Sequence, residues 1–159
     1  MGVERAQLTD IYNYIELDET LATSGQPSVE ELEAVARAGF EVVINLALHD
    51  DPRYSLRDEP GTVASLGMTY VHIPVKFDAP REGDLLAFFA AMEAHADRKV
   101  LVHCAANKRV TSFLGLYRVI RQNWDLERAF APMREVWEPN EHWSPFISAM
   151  LANADQFRQ

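Results

Sequence analysis

Cysteine is almost missing from this chain: among 159 residues there is one, Cys104. A single thiol excludes an internal disulfide and any cysteine-rich zinc site, and a reducing compartment would keep such a thiol reactive. Long apolar runs are missing too. No stretch approaches the ~20 residues that a membrane helix needs, and the N-terminus lacks the charged and apolar regions of a secretory signal, so a cytoplasmic protein without a membrane partner is expected. Basic residues are few, 15 Lys and Arg against 24 Asp and Glu for a net charge of −9, which argues against nucleic acid as a partner. Repeats and low-complexity segments are absent.

What is present is the composition of an ordinary globular domain, 48% hydrophobic and 25% charged. At this length one domain buries ~70% of its unfolded surface. Residues 1–159 read as that one domain, with 1–19 a polar, weakly patterned lead-in expected to be loosely ordered. A short strand is predicted around Leu21–Thr23, then turn chemistry at Ser24-Gly-Gln-Pro27. Ser28 and Glu31 form a capping box for a helix over 28–38, with a core stripe of Leu32, Val35 and Ala36 and with Gly39 as its stop. Glu41–Leu46, rich in β-branched residues, reads as a strand covered on both faces and central in its sheet.

Residues 47–61 read as a long loop carrying His49, Asp50, Asp51 and Arg53, followed by a short helix to Leu66 and a strand over Met68–Ile73. A second loop from Pro74 to Gly83 holds Lys76, Phe77, Asp78 and Arg81. Asp84 is placed to cap the next helix, whose face is Leu85, Phe88, Phe89 and Met92. After a strand over 100–103 come further helices, one around Leu126–Met133 and a last one over 143–157. Strands alternating with helices predict an α/β domain, a mainly parallel sheet flanked by helices in three layers, with ligands at the carboxyl ends of the strands.

The stretch from Val100 to Ser112 carries the chemistry. Three apolar residues run into His103 and Cys104, Arg109 follows, and Val110, Phe113, Leu114, Tyr117 and Ile120 set an apolar stripe of helical period. Strand, tight loop and helix place Cys104, Ala105, Ala106, Asn107, Lys108 and Arg109 in a cradle at a helix N-terminus, where unpaired N–H groups and the helix dipole favour an anion. The same field stabilises a thiolate: thiol pKa values of ~8.5 fall to roughly 3.5–7.5 in such places. A cysteine after an apolar run is commonly just a small buried hydrophobe; the preceding histidine, the arginine closing the loop and the helix after it argue for a nucleophile in an anion site.

His103-Cys104, a short loop and Arg109 together resemble the signature of cysteine-dependent protein phosphatases. Ser24-Gly-Gln-Pro27, the Gly39-Phe40 segment leading into Val-Val-Ile-Asn-Leu46, and the Val-His-Cys-Ala-Ala-Asn loop are similar to the bacterial phosphatase-like family related to dual-specificity phosphatases, some members of which are fused to metallo-β-lactamase-like hydrolases. The likeness covers about residues 20–120. It implies a cysteine-phosphatase-like three-layer fold, a phosphomonoester substrate, protein or small molecule, and phosphoryl transfer through a cysteinyl-phosphate with no cofactor and no metal.

The resemblance further implies the roles. Cys104 attacks phosphorus, and the loop 105–109 with the Arg109 guanidinium holds the equatorial oxygens or a phosphate or sulfate anion. His103 orients the loop. Asp78 stands on the loop where the family keeps its general acid, with Asp84 as rival. Three departures from the phosphatase pattern stand out: four residues rather than five separate Cys104 from Arg109, Asn107 replaces a usual glycine, and Val110 takes the place of the hydroxyl residue that assists the cysteine as leaving group. Thr111, one position later, is the candidate substitute for that hydroxyl. Rhodanese-type sulfurtransferases share the shorter loop, so a persulfide carrier is one alternative and a phosphate-ester binding module with little turnover is another.

Other residues carry plainer readings. His49, Asp50 and Asp51 suggest a solvated loop ahead of a metal ligand group, and His72 and His95 read as structural or surface histidines. Trp137 and Trp143 are expected to close the core more than to rim a pocket with Asn140 and His142. Lys108 is either extra phosphate charge or an exposed side chain. Oligomeric state is left open.

Overall fold

The structure is a computed structural model that describes residues 5–50 and 55–158. Its strands are β1 (Ile15–Glu16), β2 (Leu21–Ser24), β3 (Val42–Asn45), β4 (Thr69–His72) and β5 (Val100–His103). They form one five-stranded sheet in the order β1-β2-β5-β3-β4, in which β1 runs antiparallel to β2 and the other neighbours are parallel. The helices are α1 (Val29–Arg37), α2 (Glu59–Ser65), α3 (Glu82–Ala94), α4 (Lys108–Ile120), α5 (Leu126–Ala129), α6 (Ala131–Val136) and α7 (Trp143–Ala152).

Alternate residues of each strand point to opposite faces, and the two faces have separate cores. Val42, Ile44, Val100 and Val102 pack with α3, α4, α6 and α7 on one side. Ala22, Val43 and Leu101 pack with Leu32 and Val35 of α1 and Val63 of α2 on the other. This is the expected three-layer α/β domain. β3 is interior, but the centre of the sheet is β5, the strand that ends in His103. α4 behind it is buried almost all round, from Arg109 to Arg118 without a break, which is why its sequence carries so little polar surface.

Register places a row of polar residues across the carboxyl edge: Ser24 and Asn45 both pair with His103, and Asn45 pairs with His72. Ser24, Asn45 and His103 are buried.

Four details depart from the sequence reading. Residues 5–19 are ordered where a loose lead-in was expected. They hold a 3-10 turn at Leu8–Asp10, the edge strand β1 and a core residue, Ile11. Asp84 does not cap α3; the helix starts earlier, Arg81 occupies the N-cap position, and Asp84 sits in the first turn 3.7 Å from the Arg81 guanidinium. The stripe around 126–133 is two short helices, because Pro132 cannot continue the first and instead starts the second. The last helix ends at Ala152, and a separate 3-10 turn covers Ala154–Phe157. Among the described residues no helix is long and apolar enough to cross a membrane.

Gly115 lets α4 and the start of α6 touch: a Cβ there would overlap the ring of Phe130, itself buried. Gly115→Ala is therefore expected to destabilise the fold by about 1–3 kcal/mol despite Ala's better helix propensity. Urea unfolding reads this directly, and an unchanged midpoint would mean that Phe130 gives way freely.

Candidate active site

β5 delivers Cys104, fully buried, to the carboxyl edge of the sheet, and α4 begins four residues later. The turn between them needs left-handed backbone at Asn107, which has φ +66°. Asparagine tolerates that region better than most residues. Its side chain also makes contacts a glycine could not: Nδ2 donates to Asn13 O at 2.8 Å and to Thr23 Oγ1 at 3.0 Å. Asn107 thus replaces glycine in the turn and anchors the loop.

The loop is clamped from outside. Gln26 N donates to Ala105 O at 3.0 Å, Asn13 Nδ2 donates to Ala106 O at 3.0 Å, and Cys104 N donates to Ser24 O at 3.3 Å. Gly25 is required at this crossing, since a Cβ would lie 2.7 Å from Ala105 O and 2.8 Å from the Tyr12 ring. With loop carbonyls held by the flanking segments, the first-turn amides of α4 stand at the same end without helical acceptors.

Arg109 closes the loop. It is 7% exposed, and Nη1 donates to Val75 O at 2.8 Å, which fixes the guanidinium. Its Nε is buried with no partner, and among the described residues no carboxylate pairs with it. A buried cation with a free donor is costly unless an anion arrives. Cys104, Lys108 and Arg109 line a cavity of about 790 Å³ whose walls include Tyr12, Leu56 and Phe77. Lys108 Nζ lies 5.9 Å from the Phe77 ring centre and 5.6 Å from that of Trp137, so its charge stays beside the cavity mouth.

Asp78 is exposed on the turn after Phe77 and is not among the residues that line the cavity. The turn itself is held one residue before it: Trp143 Nε1 donates to Phe77 O at 2.7 Å, and the Phe77 ring stands 5.5 Å from Trp137 and 6.4 Å from Trp143. Trp143 is core, as expected, and its role for the site is this hold on the Phe77 carbonyl. Asn140 Oδ1 caps α7 by accepting from His142 N and Trp143 N rather than facing the cavity. Thr111 Oγ1 donates to Asn107 O at 2.8 Å and Ser112 Oγ to Lys108 O at 2.9 Å, so both hydroxyls brace the loop's exit.

Sequence reasoning missed Glu59. It lies in what read as loop, yet it starts α2 at 1% exposure, with Oε2 2.6 Å from His103 Nε2 and Oε1 accepting from Gln26 Nε2 at 2.8 Å. Burial pushes its pKa up, but His103, Gln26 and His49 outweigh that and hold it below the ordinary carboxylate range. Burial and the nearby Glu59 charge raise the pKa of Tyr70. No spacing could reveal this pair, whose members are 44 positions apart. His49 stacks on His72 at 3.9 Å and its Nε2 lies 2.8 Å from Tyr70 Oη. Asp51 and Arg53 of the same loop lie outside the described residues. Among the described residues no group of His, Cys, Asp and Glu is arranged to hold a metal.

A fully buried thiol at the end of a central parallel strand, a short loop turning into a buried helix, and an arginine at that helix's start define a cysteine-phosphatase-like domain. Comparison with known proteins places it more closely: residues 13–120 match the family described as beta-lactamase hydrolase-like protein, phosphatase-like domain, and the chain belongs to it. A beta-lactamase hydrolase-like protein of Xylella fastidiosa is 33% identical over 108 residues, 67% of this chain but 25% of that protein. The dual specificity protein phosphatase TpbA of Pseudomonas aeruginosa is 27% identical over 146 residues, 90% of this chain and 63% of that protein. The chain thus spans about a quarter of the first relative and under two thirds of the second. A DUF442 protein of Shewanella putrefaciens superposes with a TM-score of 0.82 at 31% identity, covering 96% of this chain and 97% of its own.

Asn107→Ala removes two anchoring bonds and puts a Cβ without local hydrogen bonding into left-handed backbone. A loss of about 2 kcal/mol in urea unfolding and weaker sulfate binding by calorimetry are expected. Asn107→Gly should recover the backbone part of the stability only.

Proposed function

We propose that this domain is a metal-independent cysteine-dependent phosphatase, cytoplasmic, which hydrolyses a phosphomonoester through a cysteinyl-phosphate. The observation that carries the reading is the buried, partnerless Nε of Arg109 beside buried Cys104 in one cavity. A guanidinium held by one donor to Val75 O keeps others for the equatorial oxygens of phosphate, where negative charge gathers in the transition state. A structure of TpbA in complex with phosphotyrosine shares this fold, with a TM-score of 0.68 at 20% identity, and that complex supports a phosphorylated substrate for this chain.

In the first step Cys104 Sγ attacks phosphorus, the bond from phosphorus to the ester oxygen breaks, and Asp78 gives that oxygen its proton. In the second a water attacks phosphorus, Asp78 takes the water's proton, the P–S bond breaks, and inorganic phosphate leaves a regenerated thiolate. Asp78 stands exposed on the turn whose Phe77 carbonyl Trp143 holds, outside the cavity lining, so it serves as the acid only by turning toward the mouth. Thr111 can assist the leaving sulfur only by giving up its bond to Asn107 O, and that commitment favours slow breakdown of the intermediate. A phosphate-ester binding module with little turnover is the second reading on this ground.

Hydrolysis of an aryl phosphate should fall at least about a thousandfold in Cys104→Ser; equal rates in the two proteins end the nucleophile assignment. Transfer of sulfur from thiosulfate to cyanide without phosphatase activity would instead favour a sulfurtransferase. Arg109→Ala should weaken sulfate binding about 10- to 100-fold as well as rate. A general acid works only while protonated, so the rate falls as pH rises through its titration. Asp78→Asn should flatten that basic limb, and a limb kept at full height would exclude Asp78 as the acid.

A further inference from the structure

His103 has an oxygen against each ring nitrogen. Nε2 meets Glu59 Oε2 at 2.6 Å, and Nδ1 faces Cys104 O at 3.4 Å. Neither oxygen can donate when the carboxylate is ionised, and only the imidazolium offers two donors. Glu59 is itself built in: at 1% exposure it accepts from Gln26 Nε2, and Gln26 in turn holds the loop through its own backbone bond to Ala105 O. It does not line the cavity, so substrate does not reach it. A carboxylate sealed under the cradle without a role in binding needs a function that a hydrophobic residue of the same volume would lack, because a buried ion pair is by itself weak evidence of stabilisation.

We propose that Glu59 is a positioning residue for the nucleophile, acting through His103: its carboxylate fixes the imidazole at the root of the 104–109 loop and keeps it positively charged next to Cys104. The inference rests on Cys104 being the nucleophile. Titratable groups packed about the pair are Tyr70 and His72 from β4, His49 from the loop after β3, and Cys104 itself. His72 Nε2 is taken up by Ala47 O at 2.6 Å, and the raised Tyr70 pKa keeps that phenol neutral, so among the described residues Glu59 supplies the carboxylate that pairs with His103.

Alkylation of the single thiol by iodoacetamide, followed against pH in the intact chain, reads the thiolate without any phosphatase assay. Glu59→Gln keeps the shape and removes the charge. It should move the alkylation profile to higher pH and slow alkylation at pH 6 about tenfold, while in a His103→Asn background the same change should do almost nothing further. A profile unmoved by Glu59→Gln, or an equal shift with and without His103, overturns the proposal. Should Glu59→Gln fail to fold, ring-nitrogen NMR of the unmodified protein decides: both nitrogens of His103 protonated at pH 7 supports the proposal, and a neutral ring at pH 6–7 refutes it. Failure of the nucleophile assignment would appear separately, as aryl phosphate hydrolysis that survives Cys104→Ser.

Discussion

Everything at the carboxyl edge depends on one tight reversal, in which the chain leaves the fully buried central strand and enters the most buried helix within a few residues. Such a turn exposes amide donors and a cation where solvent is scarce, and a fold tolerates that only if the turn is held rigid from outside. Here the clamps come from three separated places: Asn13, the Ser24–Gln26 segment and Val75. The aromatic group behind the mouth, Phe77 with Trp137 and Trp143, extends the same logic to the second loop.

Much of this was legible in the sequence because it is local. The run into His103-Cys104, the stripe from Val110 to Ile120 and the Ser28–Glu31 capping box are patterns of neighbours, and the structure shows all three. Asn107 stood out as a departure from glycine, and its φ of +66° shows why the substitution is tolerated. What stayed hidden was remote pairing. Glu59 looks like one more loop acid until α2 brings it under β5, and Asn13 looks like tail until its amide meets Ala106 O. The Asp84 reading failed for a local reason: α3 starts one turn earlier without a side-chain cap, a beginning that the residue types do not signal.

The three departures from the phosphatase pattern converge on the loop's stiffness. A shorter loop leaves less slack, Asn107 adds two anchoring bonds that glycine lacks, and Thr111 and Ser112 turn their hydroxyls back on loop carbonyls. Stiffness suits a site that must present a preformed anion hole, since donors already in place need no reorganisation when charge develops. It suits less well a step in which a hydroxyl must turn toward sulfur.

The mutual bonds between Asn13 and the cradle also bear on where the working unit begins. By topology β1 is only a two-residue edge strand. Yet Asn13, two residues before it, closes the outer wall of the cradle, giving its side-chain amide to the Ala106 carbonyl and its own carbonyl to Asn107. The edge of the cradle is therefore drawn by a pair of hydrogen bonds upstream of the sheet, and a fragment cut at the first long strand would lose Ile11 from the core and leave the cradle open on one side.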